Sequence, residues 1–447
     1  MNQERYFLIP FVFGLVLVIS LAILAGEGYS EPDKIVTLYQ SGPSLVIDKE
    51  EVKLDGGLNK LTRRLPETVV TETIFTTSPG ASLRSSKTVP AVKSKNRLLE
   101  ELVGTTVSVT RPRSSETTLK GKLVGIFSGK PLLKTSDGEM RLINNPEEYG
   151  FQEFSPEGKN ARLELELTAR EDVETDLTLG YQLSKLNWSP QYIVFLNEEK
   201  EALDLQGIAN IDNQTGWNFR GVALRLLAGE PKREESGDNY FAMARSLNQE
   251  ETPGPEQVFE YYRYKVGFPV NLASGAETQV KFLHKDSVSY RKYYLFEPYT
   301  SSAVRTMIEL TNTEGAGLGL PLASGTIRVY RKNEERTFIG EDTLPNLPVE
   351  REAELELGDA FDLKGERKRL SHEKIGERVW RDRVELTLDN KKEVPVPLLI
   401  KERMPGDWEI LRSSHDYEII NSRTIQYEET VQAKERIEIS YLVRYEH

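Results

Sequence analysis

The sequence predicts an all-β protein: antiparallel β-sandwich domains, a small SH3-like or Sm-like barrel insert, and one N-terminal hydrophobic helix ahead of them. Three observations predict it. Apolar and polar residues alternate with period two in runs such as Leu163-Glu164-Leu165-Glu166-Leu167, Val384-Glu385-Leu386-Thr387-Leu388 and Ile437-Glu438-Ile439-Ser440-Tyr441. Such runs turn one side of a strand to a core and the other to water. Turn clusters separate them, among them Asp137-Gly138, Asn213-Gln214-Thr215-Gly216 and Pro405-Gly406-Asp407. Helical periodicity is scarce: residues 96–103 and 256–264 each suit about two turns, and no heptad array runs through the chain.

The elements follow in order. Residues 1–30 are a signal peptide or a single membrane anchor, because the 21 residues from Tyr6 to Gly26 carry no charge. As a helix that stretch is about 30 Å long, enough to cross a bilayer core. Residues 31–96 form an N-terminal β region that ends in a Ser/Pro/Lys-rich linker over 79–96. Residues 97–152 read as the barrel insert, with short apolar runs such as Val107-Ser108-Val109 and Leu132-Leu133-Lys134 and glycines at the bends. Residues 153–290 form a β-sandwich, with a polar loop over 231–256, and residues 291–447 form a C-terminal β-sandwich.

Composition bounds the chemistry. The 447 residues imply about three domains. There is no cysteine, which excludes disulfides, thiolate catalysis, iron–sulfur clusters and Cys-bound zinc. The formal charge is −12, unevenly spread. From residue 84 to residue 134, eleven Lys or Arg face three Glu, a net of +8 that leaves −20 for the remainder. Arg111, Arg113, Lys120 and Lys122 in this stretch are the candidate surface for an anionic partner. Nucleic acid is not the expected partner. Only Phe127 offers a stacking ring there, and the N-terminal segment directs the chain to export.

No catalytic, cofactor or metal residues are assigned. The histidines (His284, His372, His415 and His447) are scattered, and no zinc-helix, nucleophile-elbow, phosphate-loop or dinucleotide motif is present. Ser414-His415-Asp416 are consecutive, and neighbours on a strand point to opposite faces. Asp359 and Asp362 flank Phe361 and suit turn capping better than a cation site. Trp188 and Trp217 are expected to anchor a core, and Gly325 to permit a close approach at a strand start.

The spaced segments Leu186-Asn187-Trp188-Ser189-Pro190-Gln191-Tyr192, Ala209-Asn210-Ile211-Asp212-Asn213-Gln214-Thr215-Gly216-Trp217 and Leu224-Arg225-Leu226-Leu227-Ala228-Gly229-Glu230 resemble the family called domain of unknown function 4139. Further segments in the expected order extend the likeness: residues 320–330, Phe338-Ile339-Gly340-Glu341-Asp342, Leu357-Gly358-Asp359-Ala360-Phe361-Asp362-Leu363, residues 388–392 and residues 406–410. The resemblance covers nearly all of 31–447. It implies a mucoidy-inhibitor-like, mostly bacterial relationship, an all-β multidomain fold and an envelope setting. It implies no activity. Some members carry a coiled coil between their halves, which this chain lacks.

The expected function is that of an exported or membrane-tethered envelope protein, a non-enzymatic structural or binding scaffold in the periplasm or on the inner membrane. Its partners would be the membrane through residues 8–26, if uncleaved, and an envelope protein or an anionic glycan or lipid. The alternative is a glycan-acting hydrolase using paired carboxylates.

Overall fold

The computed structural model describes residues 33–92, 94–110, 118–144, 146–151, 160–229, 231 and 255–446. The hydrophobic segment 8–26, Arg111, Arg113 and nearly all of the 231–256 loop lie outside the described residues.

The chain opens with strands β1 (Lys34–Tyr39), β2 (Ser44–Leu54), β3 (Gly57–Leu65), β4 (Val69–Thr77) and β5 (Ala81–Val89). Helix α1 (Lys95–Glu101) precedes β6 (Thr106–Thr110), β7 (Thr118–Phe127), β8 (Lys130–Thr135), β9 (Met140–Leu142) and β10 (Glu148–Phe151). Next come β11 (Ala161–Ala169), β12 (Val173–Leu183), β13 (Leu186–Asn197), β14 (Ala202–Asn213), β15 (Phe219–Ala228), β16 (Glu256–Val258), β17 (Tyr261–Lys265) and β18 (Val270–Leu272). The remainder is β19 (Ala276–Phe296), β20 (Ala303–Thr311), β21 (Gly325–Arg331), β22 (Phe338–Leu344), β23 (Glu352–Lys374), β24 (Val379–Asn390), β25 (Val396–Arg403), β26 (Asp407–Ser413), β27 (Glu418–Asn421), β28 (Thr424–Val431) and β29 (Arg436–Glu446).

The all-β expectation holds. One sheet runs β16-β17-β15-β1-β2-β12-β4 with β18 on β15, and a three-stranded sheet runs β3-β11-β5. The largest sheet runs β22-β21-β13-β14-β19-β20-β23-β24-β29-β26 and branches through β25, β28 and β27. Among the described residues pairing is antiparallel except for β1–β15, β13–β21 and β19–β25.

Three large cores lie in series along shared strands. Leu186 and Trp188 of β13 enter the first core, while Tyr192, Val194 and Leu196 of the same strand enter the second. On β19, Val280 belongs to the first core, Val288 to the second, and Tyr294 and Phe296 to the third. Trp188 is buried as expected, edge-on to Tyr264 and Phe282. Gly325 is also explained: an added Cβ would lie 2.2 Å from the Pro190 carbonyl oxygen on parallel strand β13.

Three local expectations are corrected. Residues 81–89 form no linker but strand β5, paired to β11. Its polar sequence suits an edge strand that is exposed along most of its length, while Leu163, Leu165 and Leu167 of β11 supply the buried side. Residues 256–264 form β16 and β17 rather than helix, because β17 pairs with β15 and Phe259 turns at φ 58°. The insert is no closed barrel. Its sheet runs β10-β6-β7-β8-β9, and β9 and β10 do not pair with each other. Leu99 of α1 and Leu102 just beyond it pack against Val107, Val109, Leu123 and Leu133. The helix covers the apolar face that closure would otherwise have covered.

Connections are pinned from within. Asn213, Asn312 and Asn390 stand at the ends of β14, β20 and β24, all buried. Asn312 Nδ2 donates to the carbonyls of Leu320, Leu347 and Pro348 at 2.8–3.1 Å, and its Oδ1 accepts from the Leu320 amide. Asn390 repeats the arrangement on Val394, Val431 and Gln432, with its Oδ1 taking the Lys392 amide. Asn213 donates to the carbonyls of Trp217 and Leu272 and accepts from Thr215. A buried carbonyl without a donor costs about 1–3 kcal/mol. Asn390→Asp leaves three carbonyls facing a group that cannot donate when ionised, and is expected to cost about 3 kcal/mol or more. Urea denaturation measures this, and a loss under about 1 kcal/mol would remove the clamp role.

Candidate functional site

Two of the four expected anion-binding residues are described, and they stand together. β7 alternates, so Lys120 and Lys122 project from its exposed side while Gly121 and Leu123 turn inward. Register sets Lys122 directly opposite Lys134 of β8, and Lys134 opposite Met140 of β9. Lys120 faces Ser108 across the other edge. Lys134 was not singled out in the sequence, because only strand register brings it to Lys122.

Lys120, Lys122 and Lys134 make no ion pair among the described residues. Like charges directly opposite on neighbouring strands destabilise a sheet. Several other charges here are paired: Arg97 binds Glu100 and Glu101, Arg162 of β11 binds Glu101, and Arg141 binds Glu139. Met140 and Leu142 lie exposed beside the lysines, so the face is basic with an apolar margin.

The paired-carboxylate alternative turns on the buried acids. Among the described residues these are Glu402 and Asp382, both in the third core. Glu402 Oε1 accepts from Arg367 Nε at 2.7 Å and from the Tyr441 hydroxyl. Arg367 also donates to the Tyr299 hydroxyl at 2.7 Å and lies over its ring. Asp382 is held by His372 Nδ1 at 2.6 Å, by the Tyr445 hydroxyl at 3.2 Å and by Arg369 at 3.6 Å. Each carboxylate thus has its own cationic and phenolic partners. Burial pushes the Tyr441 hydroxyl far up, so it remains a donor.

The remaining sequence candidates are local. His284 contacts Asp286 at 3.1 Å on the surface. Ser414 Oγ lies 2.9 Å from His415 Nδ1, in the turn after β26 rather than within a strand, so alternation does not separate them. Asp359, Phe361 and Asp362 stand exposed along β23, and among the described residues no three metal-ligating groups converge.

Burial also pushes the Glu402 carboxyl above its ordinary 4.5, against the pull of Arg367 and Tyr441. For an acid raised on folding, the stabilising contribution is complete below the unfolded value of 4.5 and is lost as pH rises through the folded value. Wild-type stability is therefore expected to fall over that rise. Glu402→Gln, which keeps an acceptor for Arg367 and Tyr441, is expected to flatten it. Denaturation midpoints from about pH 4 to about pH 8 measure both, and parallel profiles would contradict the assignment.

A family model described as Domain of unknown function (DUF4139) matches residues 177–447. No curated protein matches the chain. The motifs inside the match are structural on this geometry. Trp188 fills the first core, Gly325 meets Pro190, and Gly340 abuts Leu357, whose carbonyl oxygen lies 2.7 Å from where a Cβ would stand. Asn213 and Asn390 clamp their loops. With more than half of the chain matched, and with those motifs accounting for its strand junctions, the protein belongs to the DUF4139 family.

Proposed function

We propose that this protein is a non-enzymatic binding scaffold of the cell envelope, exported or membrane-tethered through residues 8–26, that holds an anionic partner on the basic face of its insert. The observation that carries the reading is the uncompensated row of Lys122 against Lys134 with Lys120 beside it. A polyanion laid along this row would relieve a repulsion already built into the sheet. The apolar margin at Met140 and Leu142 suits a lipid headgroup region or the body of a glycan. Two further points support the reading. The insert leaves the sandwich between the paired strands β5 and β11, so it projects from their ends without interrupting the sheet. The uncharged stretch from Tyr6 to Gly26 has the length of a membrane span. Among the described residues no helix is long and apolar enough to cross a membrane.

The binding claim is tested by thermal unfolding of the full-length protein with polygalacturonate and with glycerophosphoglycerol. At a hundredfold excess over its dissociation constant, a bound ligand stabilises the fold by about 2.7 kcal/mol. The double variant Lys120→Glu/Lys122→Glu is expected to lose the shift. No shift with either polyanion or headgroup in the wild type would sink the reading. The address is tested separately by cell fractionation. Deleting residues 1–30 is expected to move the protein from the membrane or exported fraction to the cytosol, and an unchanged distribution would count against a role for that segment.

A further inference from the structure

The outer face of β24, β29 and β26 carries a groove of about 470 Å³ that lies outside the insert and outside the family motifs. Register builds it. Arg383 of β24 is opposite Leu442 of β29, and Leu442 is opposite Arg412 of β26. Two guanidinium groups therefore flank one leucine, with their Cα atoms about 10 Å apart across two strand spacings. In the next row Glu385 faces Ser440, whose amide donates to Ser414 Oγ at 2.9 Å. Leu370 stands half-exposed at the side.

Charge separates this groove from the face around it. On the same strands Arg381 pairs with Glu373 at 2.6 Å, Arg436 with Asp389 at 2.8 Å, and Arg444 with Glu409 at 3.8 Å. Arg383, Arg412 and Glu385 make no ion pair among the described residues, although all three line one concavity. A solvated sheet face has no reason to pair its arginines everywhere except in its groove.

The donor set has a chemistry. Two planar guanidinium forks suit a carboxylate or phosphoryl oxyanion. A lone carboxylate beside them repels a second anion and accepts from hydroxyl groups. Ser440 offers a hydroxyl that both donates and accepts. Leu442 and Leu370 provide small apolar surfaces for the CH face of a ring. We propose that this groove binds an anionic sugar: its acidic group lies between Arg383 and Arg412, and its ring hydroxyls face Glu385 and Ser440. The acidic group is a uronate carboxylate or a sugar phosphate, and the same groups recognise either.

Calorimetric titration of the full-length protein in a zwitterionic detergent tests this, with four probes: oligogalacturonate, glucose 6-phosphate, glucose and inorganic phosphate. At least one anionic sugar is expected to bind, and which one binds names the acidic group. Glucose is expected not to bind. Arg383→Gln and Arg412→Gln are each expected to weaken the sugar by about tenfold or more. Glu385→Gln is expected to weaken the sugar without weakening any phosphate binding, and Arg381→Gln is expected to change nothing. All four side chains lie on a sheet surface, so folding is preserved. Failure of both anionic sugars to bind would overturn the proposal, as would binding that survives both arginine variants. Inorganic phosphate binding as tightly as glucose 6-phosphate would overturn its carbohydrate part. Loss of binding in Lys120→Glu/Lys122→Glu but not in the arginine variants would place the site on the insert instead.

Discussion

Strand β19 constrains the rest of the molecule. Its 21 residues span about 70 Å, far more than one core requires. It pairs with β14 as far as Ser289 and then with β20, taking β25 on its other edge at Tyr294–Phe296. A one-residue slip anywhere would turn Val280, Val288 and Phe296 away from three separate cores at once. Two irregularities in the β14 pairing, near Leu203 and Gly207, let the alternation reset without breaking the strand. β23 has the same role for two of the cores, with Ala353 and Leu355 in the second and Ala360 and Leu363 in the third. The sandwiches are therefore not beads on a string; each fixes the register of the next.

Rigid shared strands move the difficulty to the connections. A connection that crosses a sandwich end must bring carbonyls out of water, and each needs a donor. The asparagine clamps supply donors at three such ends. Tyrosine hydroxyls supply two more, Tyr192 on the Ala323 carbonyl at 2.8 Å and Tyr264 on that of Pro321 at 2.9 Å. Together they hold the 320–324 segment against two cores. Of the segments that resemble the family, those at 209–217 and 388–392 carry two of these clamps, Asn213 and Asn390, at strand ends where backbone must be satisfied.

The strands were legible because period two is a local signal, and Trp188 and Gly325 because bulk and its absence are local too. The β5 edge was not legible. Its polar residues are those of a loop, and its partner β11 lies beyond the insert. The missing barrel closure has a similar origin: the short apolar runs describe five strands well, but α1 competes for the same apolar face, and that competition is tertiary. The sites divide along the same line. Lys120 and Lys122 are two residues apart on one strand and show in the sequence as a charge run. Arg383 and Arg412 are 29 positions apart and meet only because β29, from the far end of the chain, lies between them. Arg367 of β23 and Glu402 of β25 lie on different branches of the largest sheet and meet only through its folding, which no spacing rule encodes.

What sets the two surfaces apart is local imbalance, not total charge. The chain is acidic overall, and its basic stretch could be taken as a counterweight to the −20 carried elsewhere. Screening argues against that. At physiological ionic strength the Debye length is about 8 Å, so distant carboxylates contribute little at an exposed lysine. Only near neighbours can neutralise Lys122, and its nearest cross-strand neighbours are Thr106 and another lysine, Lys134. The same reasoning isolates Arg383 and Arg412, because the pairs around them are short-ranged and already closed. Each surface thus holds cations that make no ion pair among the described residues, and Arg383 and Arg412 share their concavity with the single carboxylate of Glu385.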